Sequence, residues 1–260
     1  MEQFLTDQVI QGDTLARNAV NSNIDNLCHR LLDEKLQRFN KEKVPCLERI
    51  EELKKFRKDV ADNASQAVQT RITQNIGNIY VLFVNEQYDF LVNKDKSKSF
   101  KEISRILKQL LMDYPELNQY PAARYKVYSC MIQTCFPPAW TRITRFDYTT
   151  ADTELKPVVA LVLNDPEMNA GQKLFAAEKY VNYLCGKEKF AEAEALAKSM
   201  LELPKLSDAD KAQAYIILSE AYRFQDKYDL AMNAIKQAIQ YHPLAGKKAG
   251  STLALKFNKP

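Results

Sequence analysis

Two histidines, His29 and His242, are the only ones in the 260-residue chain, and they limit the acid–base and metal chemistry open to it. His29 lies four residues after Asp25 and four before Asp33, so on a helix the three side chains share one face and could hold a metal ion. Because one imidazole and two carboxylates are a weak ligand set, we expect a solvent-facing, charge-paired surface instead. His242 precedes Pro243, a position typical of a side chain that caps the end of a helix.

Other catalytic and cofactor-binding patterns are missing from the sequence. No serine, threonine or cysteine stands with a histidine in a nucleophile motif, and the six glycines form neither G-x-G-x-x-G nor G-x-x-x-x-G-K-[ST]. The five cysteines, an odd number, lie mostly in apolar helical patterns and predict reduced, buried thiols. Cys130 and Cys135 have no histidine nearby with which to bind zinc. We therefore expect no catalytic residue, no bound metal, no cofactor and no enzyme activity.

Residues 117–146 combine basic and aromatic side chains without any acid, as stacking on bases and neutralising phosphates would require. The basic residues are Arg124, Lys126, Arg142 and Arg145, and the aromatic ones include Tyr125, Tyr128, Phe136 and Trp140. Tyr125, Tyr128 and Phe136 recur at helical spacing, which favours a core position for them. The remaining residues, Trp140, Arg142 and Arg145, would then lie in a loop that contacts either nucleic acid or another protein. A protein contact is favoured, because tryptophan and arginine are the usual anchors of protein interfaces.

The net positive charge of the chain comes from its C-terminal end. The chain has 37 lysines and arginines against 33 aspartates and glutamates, a net charge of +4. Four lysines lie after Leu244 with no acid among them, so the other 33 basic residues balance the 33 acids. A neutral body argues against a nucleic-acid binder, which normally presents a basic face.

The first 95 residues predict a long antiparallel helical hairpin. Residues 14–40 carry an apolar stripe at helical intervals, and after Pro45 a second stripe runs from Cys46 to about Val92. The first stripe consists of Val20, Ile24, Leu27, Leu31, Leu32 and Phe39. Such a hairpin leaves a seam to be covered, so a coiled-coil contact between copies of the chain in a homo-oligomer is one expectation.

One spacing of aromatic, aliphatic and proline residues occurs three times after residue 95, and it predicts helices that end at a proline. The three instances are Phe100, Ile103, Leu107, Leu110 and Pro115; Phe190, Ala193, Ala197, Met200 and Pro204; and Tyr228, Ala231, Ile235, Ala238 and Pro243. Ser207, three residues before Asp210, predicts a capping box at the start of another helix.

With the preceding helix included, the last instance resembles a tetratricopeptide repeat (TPR). The matching residues are Tyr215, Leu218, Ser219, Tyr222, Tyr228, Ala231, Ile235, Ala238 and Pro243. The resemblance covers residues 170–243 reasonably and 71–115 loosely, and it does not extend to the first 70. It implies small residues where paired helices cross and aromatic residues filling the angle between them. The expected fold is therefore all-α: the hairpin (1–95), a TPR-like α-α solenoid (96–243) and a basic tail (244–260).

In TPR proteins the first helix of each pair lines a concave groove that binds a partner. By resemblance the groove residues here are Gln213, Ile216, Glu220, Arg223 and Phe224, and in the weaker repeat Phe175, Glu178, Asn182, Cys185 and Gly186. Some TPR proteins bind the C-terminal carboxylate of chaperones with a set of groove residues that is only partly present in this chain. We therefore do not expect a chaperone tail as the partner. A further alternative is that these residues pack against Leu253, Leu255 and Phe257 of the tail as a cap.

These patterns favour a non-catalytic adaptor or assembly component that binds a peptide or helix of another protein. The alternative is an RNA-associated helical protein that uses the Trp140 loop and the lysine-rich tail. The N-terminal residues lack the basic and apolar regions of a signal peptide, and the uncharged, apolar-leaning stretch 72–85 is shorter than the roughly 20 residues of a membrane span. We expect a cytoplasmic protein that does not bind membranes.

Overall fold

A computed structural model of the chain describes residues 2–95, 98–136 and 151–244, with side chains described from residue 14 onward. Every regular element in these ranges is helical, which confirms the predicted all-α class. The chain divides into two compact units: unit 1 ends at Phe90, and unit 2 begins at Leu91.

Unit 1 contains three helices rather than two. They are α1 (Glu2–Glu42), α2 (Cys46–Asp59) and α3 (Gln66–Asp89). The prediction of one continuous helix from Cys46 to about Val92 is therefore wrong. The chain turns between α2 and α3, and the Ser65 side chain accepts a hydrogen bond from the Val68 N–H at 3.4 Å to begin α3. Aspartate, asparagine and serine in this connection compete for backbone hydrogen bonds, which favours a break.

The polar face around His29 joins α1 to the start of α3. Arg71 of α3 donates a hydrogen bond to Asp33 at 2.6 Å and lies 3.1 Å from the His29 Nδ1 atom. Asp25 accepts the Ser65 backbone N–H at 2.9 Å, and hydrogen bonds from Ser65 lower the pKa of this carboxyl. The expected charge-paired surface is present, but the pairing partners come from α3 as well as from α1.

Unit 2 is a succession of helices in which each packs on the one before it among the described residues. They are α4 (Phe100–Asp113), α5 (Pro121–Thr134), α6 (Lys156–Asn164), α7 (Ala170–Gly186), α8 (Phe190–Leu201), α9 (Asp208–Phe224) and α10 (Tyr228–Tyr241). A 3₁₀ turn (Pro115–Gln119) precedes α5, and π-helical turns span Phe90–Lys94 and Ala151–Leu155. In the range of the looser resemblance, 71–115, α3 belongs to unit 1 and α4 to unit 2, where α4 packs on α5.

The pairs α7–α8 and α9–α10 begin in the same way. Asn169 accepts a hydrogen bond from the Gln172 N–H while the Gln172 side chain accepts the Asn169 N–H, and Ser207 and Asp210 form the same capping box 38 residues later. The capping box predicted at Ser207 is thus confirmed. Both first helices, α7 and α9, are 17 residues long.

The turns inside the two pairs also match. Glu188 and Asp226, again 38 residues apart, have φ angles of 59° and 57°, in the left-handed region. In each turn the next amide, that of Lys189 or Lys227, donates a hydrogen bond to the carbonyl five residues earlier, at 2.9 and 3.0 Å. This pattern is a Schellman-type helix end, so residues 169–241 contain one helix-pair design twice.

Small residues fill the contacts between these helices. Ala193, Ala197, Ala231 and Ala238 are at most 1% exposed, as the repeated spacing requires. Tyr228 differs from the prediction, because its ring is 43% exposed and its hydroxyl donates to Asp226 at 2.6 Å rather than filling the angle between helices.

Replacing Glu188 by glycine is expected to stabilise unit 2. A residue with a β-carbon is strained at φ 59°, and glycine is not, so the free energy of unfolding should rise by about 0.5–1 kcal/mol. The thermal midpoint should rise by about 1–4 °C. Glu188→Ala keeps the strain and should give no increase. Equal midpoints for the glycine and alanine variants would contradict the assigned turn.

Candidate functional site

The groove residues predicted from the sequence lie on two adjacent helices of unit 2. Five come from α7 and five from α9, at spacings that keep each set on one side of its helix, and the two helices pack against each other. We call this surface the α7–α9 face; it consists of Phe175, Glu178, Asn182, Gln213, Ile216, Glu220, Arg223 and Phe224.

A hydrogen bond between two predicted residues joins the helices. The Gln213 side-chain amide donates to the Glu178 carboxylate at 2.8 Å, and Glu178 also lies 3.2 Å from the Lys179 ammonium. Both Glu178 and Gln213 are half-buried. The carboxylate at this point of the face is therefore held by two donors.

Further along α9, Glu220 and Arg223 form an ion pair. The Arg223 Nε atom donates to Glu220 at 2.9 Å, and a terminal guanidinium nitrogen contacts the same oxygen. The two side chains are only 13–19% exposed. The guanidinium also lies 4.5 Å from the centre of the Phe224 ring, a cation–π contact. These opposite charges compensate each other, so the face is close to neutral here.

Cys185 and Gly186, also predicted as groove residues, end α7. The Cys185 thiol is buried, and burial, with a smaller contribution from nearby Glu220, raises its pKa to about 11. It is therefore a neutral thiol at pH 7 and contributes packing rather than reactivity. Gly186 is exposed at the edge of the face.

The three apolar members of the face differ in what they contact. Phe224 is 37% exposed, and Phe175 is half-buried with the Lys179 ammonium 5.5 Å from its ring centre. Ile216 packs against the buried pair Ala212 and Ala238. Ile216 is thus partly committed to the contact between α9 and α10, and the phenylalanines are the better candidates for partner contact.

The α7 and α9 helices run in the same direction. The Glu178–Gln213 bond joins residues 35 apart. The same offset separates Cys185 from Glu220, whose nearby charge adds to burial in raising the pKa of the thiol. With a rise of about 1.5 Å per residue, Phe175 and Phe224 stand about 21 Å apart along the helix direction. The face therefore has an aromatic ring towards each end and paired polar groups between them.

Trp140, Arg142 and Arg145 lie outside the described residues, as do the lysines and apolar residues of the tail. Arg124, part of the same basic and aromatic segment, is described, and it is not free to contact phosphate. Its guanidinium donates to Asp165 at 2.7 Å and to Glu167 at 2.8 Å. Sequence reasoning missed this pairing because the two acids follow Arg124 by 41 and 43 residues.

A cavity of about 260 Å³ between α4, α5, the π-helical turn and α6 was not foreseen from the sequence. Its lining is largely apolar and includes Met112 and Leu161, which are 64% and 52% exposed. The sequence signal that could have indicated this cavity is the presence of apolar residues on the solvent-facing sides of α4 and α6. In the ranges that the structure describes, no three His, Cys, Asp or Glu side chains form a metal-binding cluster.

Comparisons with known proteins do not assign the chain to a family. No family model, no curated protein and no solved structure matches it. Among the described helices, none has both the length and the apolar character needed to cross a membrane.

Proposed function

We propose that the chain is a non-catalytic adaptor or assembly component whose unit 2 binds a segment of another protein on the α7–α9 face, in the manner of a TPR-like α-α solenoid. The observation that carries the proposal is the face itself: the groove residues expected from the resemblance lie together on two parallel, adjacent helices.

The 38-residue duplication supports a solenoid arrangement. Two helix pairs share their capping boxes, their turn geometry and their first-helix length, and α9 packs on both helices of the preceding pair. Stacked pairs of this kind place their first helices side by side, which creates an extended surface that a partner segment can follow.

The chemistry of the face favours binding by apolar burial. Its central polar groups, Glu178 with Gln213 and Glu220 with Arg223, already satisfy one another. A partner would therefore find apolar anchor points mainly at Phe175 and Phe224. The distance of about 21 Å between these rings corresponds to about 14 residues of helix or six of extended chain. The expected ligand is thus a short segment with an apolar side chain towards each end.

Affinity capture with the full chain tests this proposal. Phe224→Asp should reduce capture of the partner from native lysate at least about tenfold, because an aromatic anchor is lost. Met232→Asp, at a similarly exposed position (40%) on α10, should leave capture unchanged. Mass spectrometry would identify and quantify the partner, and circular dichroism would confirm equal helical content.

Undiminished capture by both Phe224→Asp and Phe175→Asp would contradict the proposal. Ile216 is a poorer test position, because its substitution would also disturb the packing on Ala212 and Ala238.

The RNA-associated alternative stays a prediction, because the Trp140 loop and the tail lie outside the described residues. Salt dependence distinguishes it from the proposal: binding that falls steeply and linearly with the logarithm of salt concentration indicates displacement of counterions from nucleic acid. A weak dependence is expected for a partner held by apolar contacts.

A further inference from the structure

A second apolar stripe, on α1 of unit 1, is exposed. Val20, Ile24, Leu27 and Leu31 follow one another at intervals of four, three and four residues, the alternation of a coiled-coil seam. Val20, Leu27 and Leu31 are 56%, 46% and 37% exposed, and Ile24 between them is half-buried. We call these four residues the α1 seam.

The α1 seam is distinct from the face of α1 that packs within unit 1. That packed face consists of Cys28, Leu32 and Phe39, all at most 5% exposed. On a helix the two faces are about 100° apart, so both can be covered at once. The α1 helix has 41 residues, against 14 in α2 and 24 in α3, and residues 14–23 are exposed throughout. Helices gain most of their stability from packing an apolar face, so a seam of this kind calls for a partner.

We propose that the α1 seam binds the same seam of a second copy of this chain, in an antiparallel two-helix coiled coil. In the register that brings the two seams together, a residue of one copy faces the residue of the second copy whose number brings the sum of the two numbers to 51. Val20 then faces Leu31 of the second copy, and Ile24 faces Leu27 of the second copy. The contact is self-complementary and closes around a two-fold axis, so it stops at a dimer.

Charge selects this orientation. The next positions of the seam pattern on either side are Arg17 and Glu34, and the antiparallel register places each against the other in the second copy. A parallel register would instead place Arg17 against Arg17 and Glu34 against Glu34. Both side chains are exposed, and Glu34, at 62%, lies 3.8 Å from the Arg30 guanidinium on its own helix. The antiparallel dimer therefore gains two opposite-charge contacts where the parallel one has two repulsive pairs.

Sedimentation velocity on the full chain tests the dimer. The unmodified chain should dimerise at micromolar concentration, and Leu27→Asp should raise the dissociation constant at least about 100-fold, because two apolar contacts are lost. Leu15→Asp is the matched control, since Leu15 is on the same helix and 70% exposed but outside the seam. It should leave the dissociation constant unchanged. A monomeric unmodified chain, or equal effects of the two substitutions with equal helical content, would overturn the proposal.

Charge exchange tests the orientation separately. Arg17→Glu and Glu34→Arg should each weaken the dimer about tenfold, because each creates two like-charge contacts in the antiparallel register. The double variant Arg17→Glu/Glu34→Arg restores opposite charges and should regain the original dissociation constant. In a parallel dimer each single change replaces one like-charge pair by another, so unweakened single variants would overturn the antiparallel arrangement.

Discussion

Replacing Arg124 by leucine is expected to lower the free energy of unfolding of unit 2 by about 2–4 kcal/mol. The Arg124 and Asp165 side chains are only 12% and 15% exposed, and two guanidinium nitrogens donate to one Asp165 oxygen at 2.7 and 3.1 Å. Burial disfavours the charged guanidinium, but hydrogen bonds to Glu167 and Asp165 outweigh this and raise the pKa of Arg124. Leucine would leave the Asp165 carboxylate largely buried without its main counter-charge.

Chemical denaturation with a helix-sensitive signal would measure the loss. Arg105→Leu, at an exposed position on α4, is the control and should change the free energy of unfolding by less than about 0.5 kcal/mol. Arg124→Lys keeps the charge but not the fork of donors, so we expect an intermediate loss. Similar losses for Arg124→Leu and Arg105→Leu would show that the buried ion pair contributes little.

The Arg124 cluster also matters for the candidate site. Arg124 is in the first turn of α5, while Asp165 and Glu167 lie in the connection from α6 to α7. The cluster fixes this connection next to α5 and thereby the point at which α7, with Phe175 and Glu178, begins. Loss of the cluster should therefore weaken partner capture as well as lower stability.

Features set by neighbouring residues were predictable from the sequence. The Ser207–Asp210 capping box, the burial of Ala193 and Ala238, and the helical character of the repeated segments depend on residues within one or two turns of each other. Their physical causes are local: a side chain that satisfies a free backbone amide, and a small residue where two helices approach closely. The candidate groove residues were named from the TPR resemblance, and helical spacing accounts only for their lying on one side of α7 or α9.

Features set by residues far apart in the chain were not predictable. Arg71 contacts Asp33, and Arg124 contacts Asp165, only because the fold brings different helices together. A single sequence gives no sign of which acid a given arginine will meet. The break between α2 and α3 was missed for another reason: apolar residues continue at helical intervals across it, and that periodicity outweighed the polar residues of the turn.

Replacing Ala193 by leucine is expected to destabilise unit 2 by about 1–3 kcal/mol. Ala193 is fully buried on α8, which packs against both α7 and α9, so three extra carbon atoms have no space without a shift of one of these helices. Thermal unfolding would measure the effect as a fall in the midpoint of about 2–4 °C per kcal/mol.

The same helix provides the control. Ala195 is two residues further along α8 and exposed, and leucine has nearly the helix propensity of alanine, so Ala195→Leu should change the free energy of unfolding by less than about 0.5 kcal/mol. Because α8 lies behind α7 and α9, Ala193→Leu should also weaken partner capture by displacing the two helices that form the face, whereas Ala195→Leu should not. If both substitutions were equally tolerated, the close approach of helices at Ala193 could not be what sets the spacing of α7 and α9, and the stacked-pair explanation of the repeated alanines would fail.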